Sequence, residues 1–496
     1  MCVRLSMFYS TLLLTGVNLL LRLAATVFQV YLSGRIGAAG VGLLQLVLSV
    51  AMLAETAGIA GVRTTAMYLS AGELGRKHPD RIPRILTGCG VYSLVCSCAV
   101  GAALYLSAPL LAREWIGDAR TAEALRLFAC FLPVECLGGV LRGYFTAAER
   151  IGTLALVGIG EQLCSIAVTL AALACWAGGD PGRACQAVIF GAGMGTCLAL
   201  VCLWLLRPRR RESRPAPFPV ARRMLRIAVP LALADDLKAG LSAAEKLVIP
   251  RGLALHPGTR SPMASFGVVS GMVMPVLMFP AAVLFSLAEL LIPELARCAA
   301  VGSRRRIRYL TRRSLRMGML YGLCCGGLLF LLAGPLCESL YGSREAGCCL
   351  MLFAPLAPML YCDALTDAMT KGLGQQESCV RYNILTSALD LALLLVLLPR
   401  WGMLGYFVSF LVSHLVNFLL SIRQLLRTAE VAVSLRRPLL AGLAALAGVG
   451  AALQFSGTLP RAAVFLTVSW ALFGCSGTLR REDLHWARGL LRTRRR

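Results

Sequence analysis

Long apolar runs recur from one end of this chain to the other, and they decide what it can fold into. Each run is about 20 residues long, the length at which a helix crosses the hydrocarbon core of a bilayer. A helix suits that environment because it satisfies its own backbone hydrogen bonds where water is absent. Buried helices of soluble proteins rarely stay apolar over such a length. The pattern therefore predicts an all-α, polytopic membrane protein.

About fourteen transmembrane helices fit these runs. The predicted spans are 8–31, 41–69, 86–111, 121–147, 151–177, 184–206, 224–250, 264–294, 317–337, 347–370, 382–399, 404–422, 438–454 and 462–479. The first run is too long for the apolar part of a cleaved signal peptide, and it contains Arg22. We therefore predict that it is the first spanning helix.

Composition agrees with a membrane location. The chain is 57% hydrophobic and 15% charged, whereas soluble domains are about 25% charged. A net charge of +25 would suggest nucleic acid for a soluble protein. Here the basic residues lie in short loops, so we expect no nucleic-acid partner. The 20 cysteines include no C-x-x-C pair and the four histidines do not cluster, so we expect no metal site.

The distribution of Lys and Arg predicts the topology. With the N-terminus in the cytoplasm, 35 of the 50 Lys and Arg residues lie in cytoplasmic segments and 9 lie in outer loops. Such an excess marks the cytoplasmic side. We therefore predict a cytoplasmic-membrane protein with an even number of helices and both termini in the cytoplasm.

A basic, proline-rich segment divides the predicted helices into two lobes. Residues 1–207 form an N-terminal lobe of six helices, 208–223 the linker, 224–424 a second six-helix lobe, and 425–496 two further helices and a basic tail. Arg142-Gly143 and Lys371-Gly372 end proline-containing helices at matching places in the two lobes. Parallel repeats of this kind are typical of transporters with alternating access.

Polar and charged residues inside the predicted spans indicate where a substrate could bind, because such residues are costly in a membrane and usually face a hydrated cavity. They form stripes on helices one, two and seven, which predict a cavity shared between the lobes. A guanidinium there suits a phosphate, which it can hold through two hydrogen bonds. The candidate cavity residues are Asn18, Arg22, Glu55, Arg63, Asp235 and Lys238.

A second set of acids is a candidate for ion coupling: Glu135, Glu161, Asp363 and Asp367. Several of these charges also have a purely structural interpretation. Glu135 and Arg142 lie two turns apart and can pair, as can Asp235 and Lys238. Basic residues near helix ends can extend to the interface.

No enzyme motif is present, so we expect no enzymatic activity and no cofactor. Gly191, Gly193 and Gly195 resemble a helix-packing surface more than a nucleotide site.

Several stretches resemble the polysaccharide-flippase branch of the MATE/MOP superfamily, including its sporulation members. These stretches are TGVNLLLRLA (15–24), YLSGRIGAAGVGLL (31–44), LRGYF (141–145), SGMVMP (270–275) and LIPEL (291–295). The resemblance implies a monomeric flippase, surrounded by membrane lipids, for an undecaprenyl-diphosphate-linked saccharide. It also implies coupling to Na⁺, H⁺ or the membrane potential.

The resemblance gives Arg22 the place of a cavity arginine in helix one, and Arg63 a similar place in helix two. Lipid II flippases of the superfamily carry another arginine in helix eight, whereas residues 264–294 contain no Lys or Arg. Lys238 or Lys246 compensating for that loss is a hypothesis. Two other functions stay open: a cation-coupled multidrug exporter of the same superfamily, and a membrane scaffold for glycan synthesis.

Overall fold

The computed structural model describes residues 2–75, 79–148, 150–177, 180–207, 220–259, 261–431 and 436–477. Within these ranges the regular structure is entirely helical, which confirms the predicted all-α class. The predicted linker 208–223 lies mostly outside the described residues, as does the basic tail from residue 478.

Seventeen α-helices make up the described chain. They are α1 (Cys2–Ile59), α2 (Val62–Gly75), α3 (Ile82–Leu110), α4 (Ala122–Ala147), α5 (Ile151–Ala172), α6 (Pro181–Leu206), α7 (Val220–Ala254), α8 (Pro262–Gly267), α9 (Met274–Met278), α10 (Ala281–Ala300), α11 (Arg304–Tyr341), α12 (Arg344–Phe353), α13 (Ala357–Gly372), α14 (Gln376–Trp401), α15 (Met403–Thr428), α16 (Arg436–Ala452) and α17 (Thr458–Cys475). Wide π-helical turns extend α3 and α5 and join α8 to α9.

Ten helices of the described chain are long and apolar enough to cross a membrane. An eleventh candidate is the pair Pro262–Met278 and Ala281–Ala300, bent by 62° at the break between them. The predicted fourteen is larger because α7 carries several charges and α16 has 17 residues. In addition, one candidate runs from Leu19 to Leu74 and covers two predicted spans. The exact number of crossings stays a prediction.

Gly37 divides α1 into two helices. Its φ of 69° and ψ of 175° are non-helical. Residues with a side chain are strained at such a φ, whereas glycine adopts it freely. The Leu19–Leu74 segment has 56 residues, and as one straight helix it would be about 84 Å long. That length far exceeds the bilayer core of about 30 Å, so the break allows two successive spans.

The described chain separates into two compact units. Unit 1 contains Met1–Gly271 and Ser387–Ser409, and unit 2 contains Met272–Thr386 and Phe410–Arg496. Helix α7 therefore packs with the N-terminal helices, although it follows the basic segment. The end of α14 and the start of α15 also belong to unit 1. The lobes 1–207 and 224–424 stay a prediction.

Close approach of glycines fixes the packing of α4, α5 and α6 in unit 1. A Cβ atom at Gly195 would lie 2.7 Å from the Glu161 carbonyl oxygen, and one at Gly193 would overlap the Phe131 ring. The packing interpretation of this glycine run is therefore confirmed.

At one end of these helices, Arg120 pairs with Asp118 at 2.8 Å and with Asp180 at 2.9 Å.

Helix α11 organises unit 2, where α12, α13, α16 and α17 pack against it. A Cβ atom at Gly322 would lie 2.6 Å from the Cα atom of Pro358, so α11 and α13 are in backbone contact. Phe465 of α17 is fully buried beside Gly327 of α11.

Candidate functional site

An ion-pair network centred on Arg142 joins three helices of unit 1. The guanidinium donates to Glu135 Oε1 of α4 at 3.3 Å and to Glu161 Oε1 of α5 at 2.7 Å. Thr196 of α6 donates to Glu135 Oε2 at 2.7 Å. The side chains of Arg142, Glu135 and Glu161 are 23%, 21% and 25% exposed. A single arginine therefore compensates two carboxylates within the membrane-spanning region.

Glu55 of α1 and Arg63 of α2 lie beside this network. Glu55 is close enough for charge interactions with Arg63, Arg142, Glu135 and Glu161. Glu55 is half-buried, whereas Arg63 is exposed. Arg63 also packs its backbone against Gly143, where a Cβ atom would overlap the Arg63 carbonyl oxygen. Two residues predicted for substrate and two predicted for ion coupling therefore belong to one polar cluster.

The polar stripe of helix one is described in part. Arg22 is half-buried, and the side chain of Asn18 lies outside the described residues. Gln29, two turns further along α1, donates from Nε2 to the Gly271 carbonyl oxygen at 3.2 Å. Gly271 ends the first segment of unit 1 and lies in the π-helical turn between α8 and α9. The stripe thus connects α1 to the π-helical turn that follows α8.

Asp235 and Lys238 are exposed side chains of α7 that interact through their charges, as their spacing predicts. Neighbouring Asp236, which the sequence interpretation did not include, has a buried Oδ1 atom with no hydrogen-bond partner among the described residues. It interacts electrostatically with Tyr92 of α3. One turn of α7 therefore presents two acids in different surroundings.

A further polar cluster in unit 1 was not predicted from the sequence. Ser409 of α15 donates to Asp390 Oδ1 of α14 at 2.7 Å. Glu245 of α7 accepts a hydrogen bond from Ser387 and is near Asp390 and Lys246. Three helices bring these side chains together. The sequence does not indicate this cluster, because Glu245 is far along the chain from its partners on α14.

Unit 2 contains a polar cluster around Asp363 and Asp367 of α13. Asn417 of α15 donates to Asp363 Oδ2 at 3.0 Å, and Thr386 of α14 donates to Asn417 Oδ1 at 3.3 Å. Asp363 Oδ1 is buried with no hydrogen-bond partner among the described residues. Lys371 pairs with Asp367 at 2.6 Å. The two predicted acids thus differ, since one is compensated by a lysine and the other is held by an amide.

The two clusters show the same arrangement of helices. In each, an acid lies before a basic residue and a glycine at the end of a helix: Glu135 before Arg142-Gly143, and Asp363 before Lys371-Gly372. In each, the acid accepts a hydrogen bond from the helix two positions further on, from Thr196 or from Asn417. The internal repeat inferred from the sequence therefore extends to hydrogen-bond partners that no sequence pattern indicated.

Known proteins resemble this chain in sequence. Residues 8–234 match the sequence model of the family described as polysaccharide biosynthesis protein. Stage V sporulation protein B of Bacillus subtilis (strain 168) is 22% identical over 412 residues, which cover 80% of this chain and 79% of that protein. The predicted resemblance to this group is confirmed.

Solved structures identify the fold. The lipid II flippase MurJ in an inward closed conformation matches with a TM-score of 0.72 and 10% identity, over 93% of this chain and 98% of that one. A multidrug resistance MATE family transporter of the MOP superfamily, in an inward-facing conformation, matches with a TM-score of 0.61 and 14% identity, over 84% of this chain and 99% of that one. The chain has the fold of a MOP-superfamily transporter.

Fold likeness at 10% to 14% identity shows the architecture and leaves the substrate undefined. The polar clusters described above are specific to this chain.

Proposed function

We propose that this protein is a flippase that moves a lipid-diphosphate-linked oligosaccharide or peptidoglycan precursor from the inner to the outer leaflet by alternating access. The substrate class is an undecaprenyl-diphosphate-linked saccharide. The match to a polysaccharide biosynthesis family over residues 8–234 supports a glycan substrate. The likeness to MurJ over 93% of the chain supports a flippase architecture.

The observation that carries this proposal is the convergence of membrane-embedded charges in unit 1. Helices α1, α2, α4 and α5 contribute Glu55, Arg63, Arg142, Glu135 and Glu161 to one cluster. Scattered structural pairs would not require four helices to bring their charges to one place. Ionisable residues inside membrane proteins usually mark a hydrated substrate or ion pathway.

Arg22 and Arg63 have separate tasks in this proposal. A guanidinium stays charged and binds phosphate oxygens through paired hydrogen bonds. We assign diphosphate binding to Arg22 on α1 and Arg63 on α2, with Lys238 as a further cation. Glu135 and Glu161 are already paired with Arg142. We therefore assign to them the positioning of the Arg142 guanidinium, and no direct contact with an anionic lipid.

Coupling ions and topology belong to the same proposal. Translocation is driven by the membrane potential or by Na⁺ or H⁺. We assign coupling to Asp363, because its Oδ1 atom is buried and has no hydrogen-bond partner among the described residues. The protein works as a monomer in the cytoplasmic membrane, with both termini in the cytoplasm.

A depletion-rescue experiment tests this function. A bacterial host whose own lipid-linked-saccharide flippase can be depleted receives the wild type, Arg22→Ala, Arg22→Lys or Arg400→Ala at matched protein levels. We expect rescue by the wild type and by Arg400→Ala, partial rescue by Arg22→Lys, and none by Arg22→Ala. Full rescue by Arg22→Ala would remove Arg22 from the mechanism. Failure of the wild type to rescue any host with a defined lipid-linked saccharide would contradict the proposed function.

A cation-coupled multidrug exporter is the second candidate. The specific observation in its favour is that the chain covers 99% of a MATE multidrug transporter with a TM-score of 0.61. In that case the acids of unit 1 and Asp363 would bind the coupling ion and a cationic drug. Increased resistance to several cationic drugs in an efflux-deficient host, abolished by Asp363→Asn, would favour the exporter over the flippase.

A further inference from the structure

An apolar groove of about 900 Å³ lies on unit 1, apart from the polar clusters. It runs between α3 and α6, and α4 forms its floor through Val140, Leu141 and Tyr144, which are all buried. Its walls carry large apolar side chains that are strongly exposed, such as Val91 at 58% and Leu205 at 60%. A surface of this kind is stable only when hydrocarbon covers it.

One end of the groove is basic. Arg150 donates from Nη1 to the carbonyl oxygen of Leu206 at 3.5 Å. The guanidinium carbon of Arg207 lies 3.3 Å from the centre of the Trp204 ring. Both arginines therefore meet at the last turn of α6, and both line the groove. In the part of the chain that the structure describes, neither forms an ion pair with a carboxylate.

Helix ends of both signs lie at this end of the groove. Helices α3 and α5 begin here, at Ile82 and Ile151, whereas α4 and α6 end here, at Ala147 and Leu206. Because N-terminal ends carry a partial positive charge and C-terminal ends a partial negative one, the net positive charge comes from the two arginines. Among the described residues that line the groove, none is acidic. Its chemistry is therefore apolar along its length and anion-binding at one end.

We propose that this groove binds an anionic phospholipid of the bilayer, with the phosphate between Arg150 and Arg207 and an acyl chain along α3 and α6. Basic residues next to apolar surface between membrane helices are the usual way in which a protein selects an anionic lipid. Trp204 and Tyr144 are amphipathic side chains of the type found at the headgroup level. On the predicted topology, this end of the groove faces the cytoplasm.

The lining favours a phospholipid over the lipid-linked saccharide. Besides the two arginines, the described lining offers few polar groups, those of Thr87, Tyr144 and Trp204. A saccharide with many hydroxyl groups would find few hydrogen-bond partners there, and leaving them unpaired is costly. A phospholipid needs only a charged end and an apolar channel. This inference is independent of the flippase function.

Native mass spectrometry of the full-length protein tests the site, with phosphatidylglycerol, phosphatidylcholine and undecaprenyl phosphate as probes. Arg150→Gln with Arg207→Gln removes the charge. Gly90→Leu fills the groove, because a Cβ atom at Gly90 meets nothing closer than Leu137 at 3.9 Å. The matched control is Arg305→Gln with Arg308→Gln, two exposed residues of α11 on the same predicted side of the membrane.

We expect phosphatidylglycerol to bind the wild type and the control equally. Removing both groove arginines should weaken binding about tenfold or more, because each basic residue near an anionic lipid contributes substantially to its attraction. Gly90→Leu should weaken binding while the protein stays folded. The proposal is overturned if phosphatidylcholine binds as tightly, if the control loses as much binding, or if the wild type binds no phosphatidylglycerol. Tighter, arginine-dependent binding of undecaprenyl phosphate would assign the groove to the transported lipid and would also overturn it.

Discussion

At the scale of single residues, Arg142 compensates two carboxylates at once, those of Glu135 and Glu161. Arg142→Ala leaves two carboxylates uncompensated in the membrane-spanning region. Removing one partner of a buried ion pair costs about 3 kcal/mol or more. We expect a clearly lower midpoint of thermal unfolding for Arg142→Ala in detergent, measured with a thiol-reactive dye.

Two further variants separate charge from packing in this experiment. Arg142→Ala combined with Glu135→Gln and Glu161→Gln removes all three charges and should recover part of the lost stability. Arg126→Ala, which breaks the more exposed pair with Glu123 on the same helix, should have a small effect. Equal destabilisation by Arg126→Ala would show that Arg142 is not special.

At the scale of elements, the break at Gly37 separates the first two spans. Gly37→Ala should destabilise the protein by about 1 kcal/mol, because alanine is strained at positive φ. A Cβ atom at Gly37 meets nothing within 4 Å, so this cost comes from the backbone alone. Gly34→Ala is the matched control, since Gly34 is equally open but helical. The measurement is the same thermal midpoint, and a neutral Gly37→Ala would mean that the break does not depend on glycine.

The sequence predicted where helices lie better than it predicted which side chains meet between helices. Apolar length located the long helices, because the extent of an apolar run reflects the thickness of the bilayer. The sequence did not predict the 62° bend between α9 and α10 or the break at Gly37. It also did not bring Thr196 to Glu135 or Asn417 to Asp363. Threonine and asparagine are common in membrane helices, so their partners follow from packing and not from spacing.

At the scale of the whole molecule, the basic loops predict an orientation that reporter fusions can measure. Alkaline phosphatase fused at Asp118, Asp180, Ser343 or Gly457 should be active, because these loops lie on the outer side of the predicted topology. A fluorescent protein at the C-terminus should fluoresce, since it would remain in the cytoplasm. An active phosphatase at the C-terminus would require an odd number of spans and would reverse the predicted orientation of the last helices.

The sequence did not predict which charged residues share a site. Arg63, Glu55, Glu135 and Glu161 were assigned to two different tasks, yet they belong to one cluster. Assignment by helix stripe cannot detect this, because a stripe fixes the face of one helix and not what that face meets. The polar residues of α7 and α14 illustrate the same limit, since Glu245 and Ser387 are far apart in the chain.

The most direct test of the central claim is a flipping assay in proteoliposomes. A fluorescent undecaprenyl-diphosphate-linked saccharide is placed in both leaflets, and an impermeant quencher reports the fraction that reaches the outer leaflet over time. We predict much faster exchange with the wild type than in protein-free liposomes. For Arg22→Ala we predict a rate that is lower by about tenfold or more, as expected for the loss of a charge-assisted hydrogen bond. Exchange by the wild type no faster than in protein-free liposomes would contradict the account.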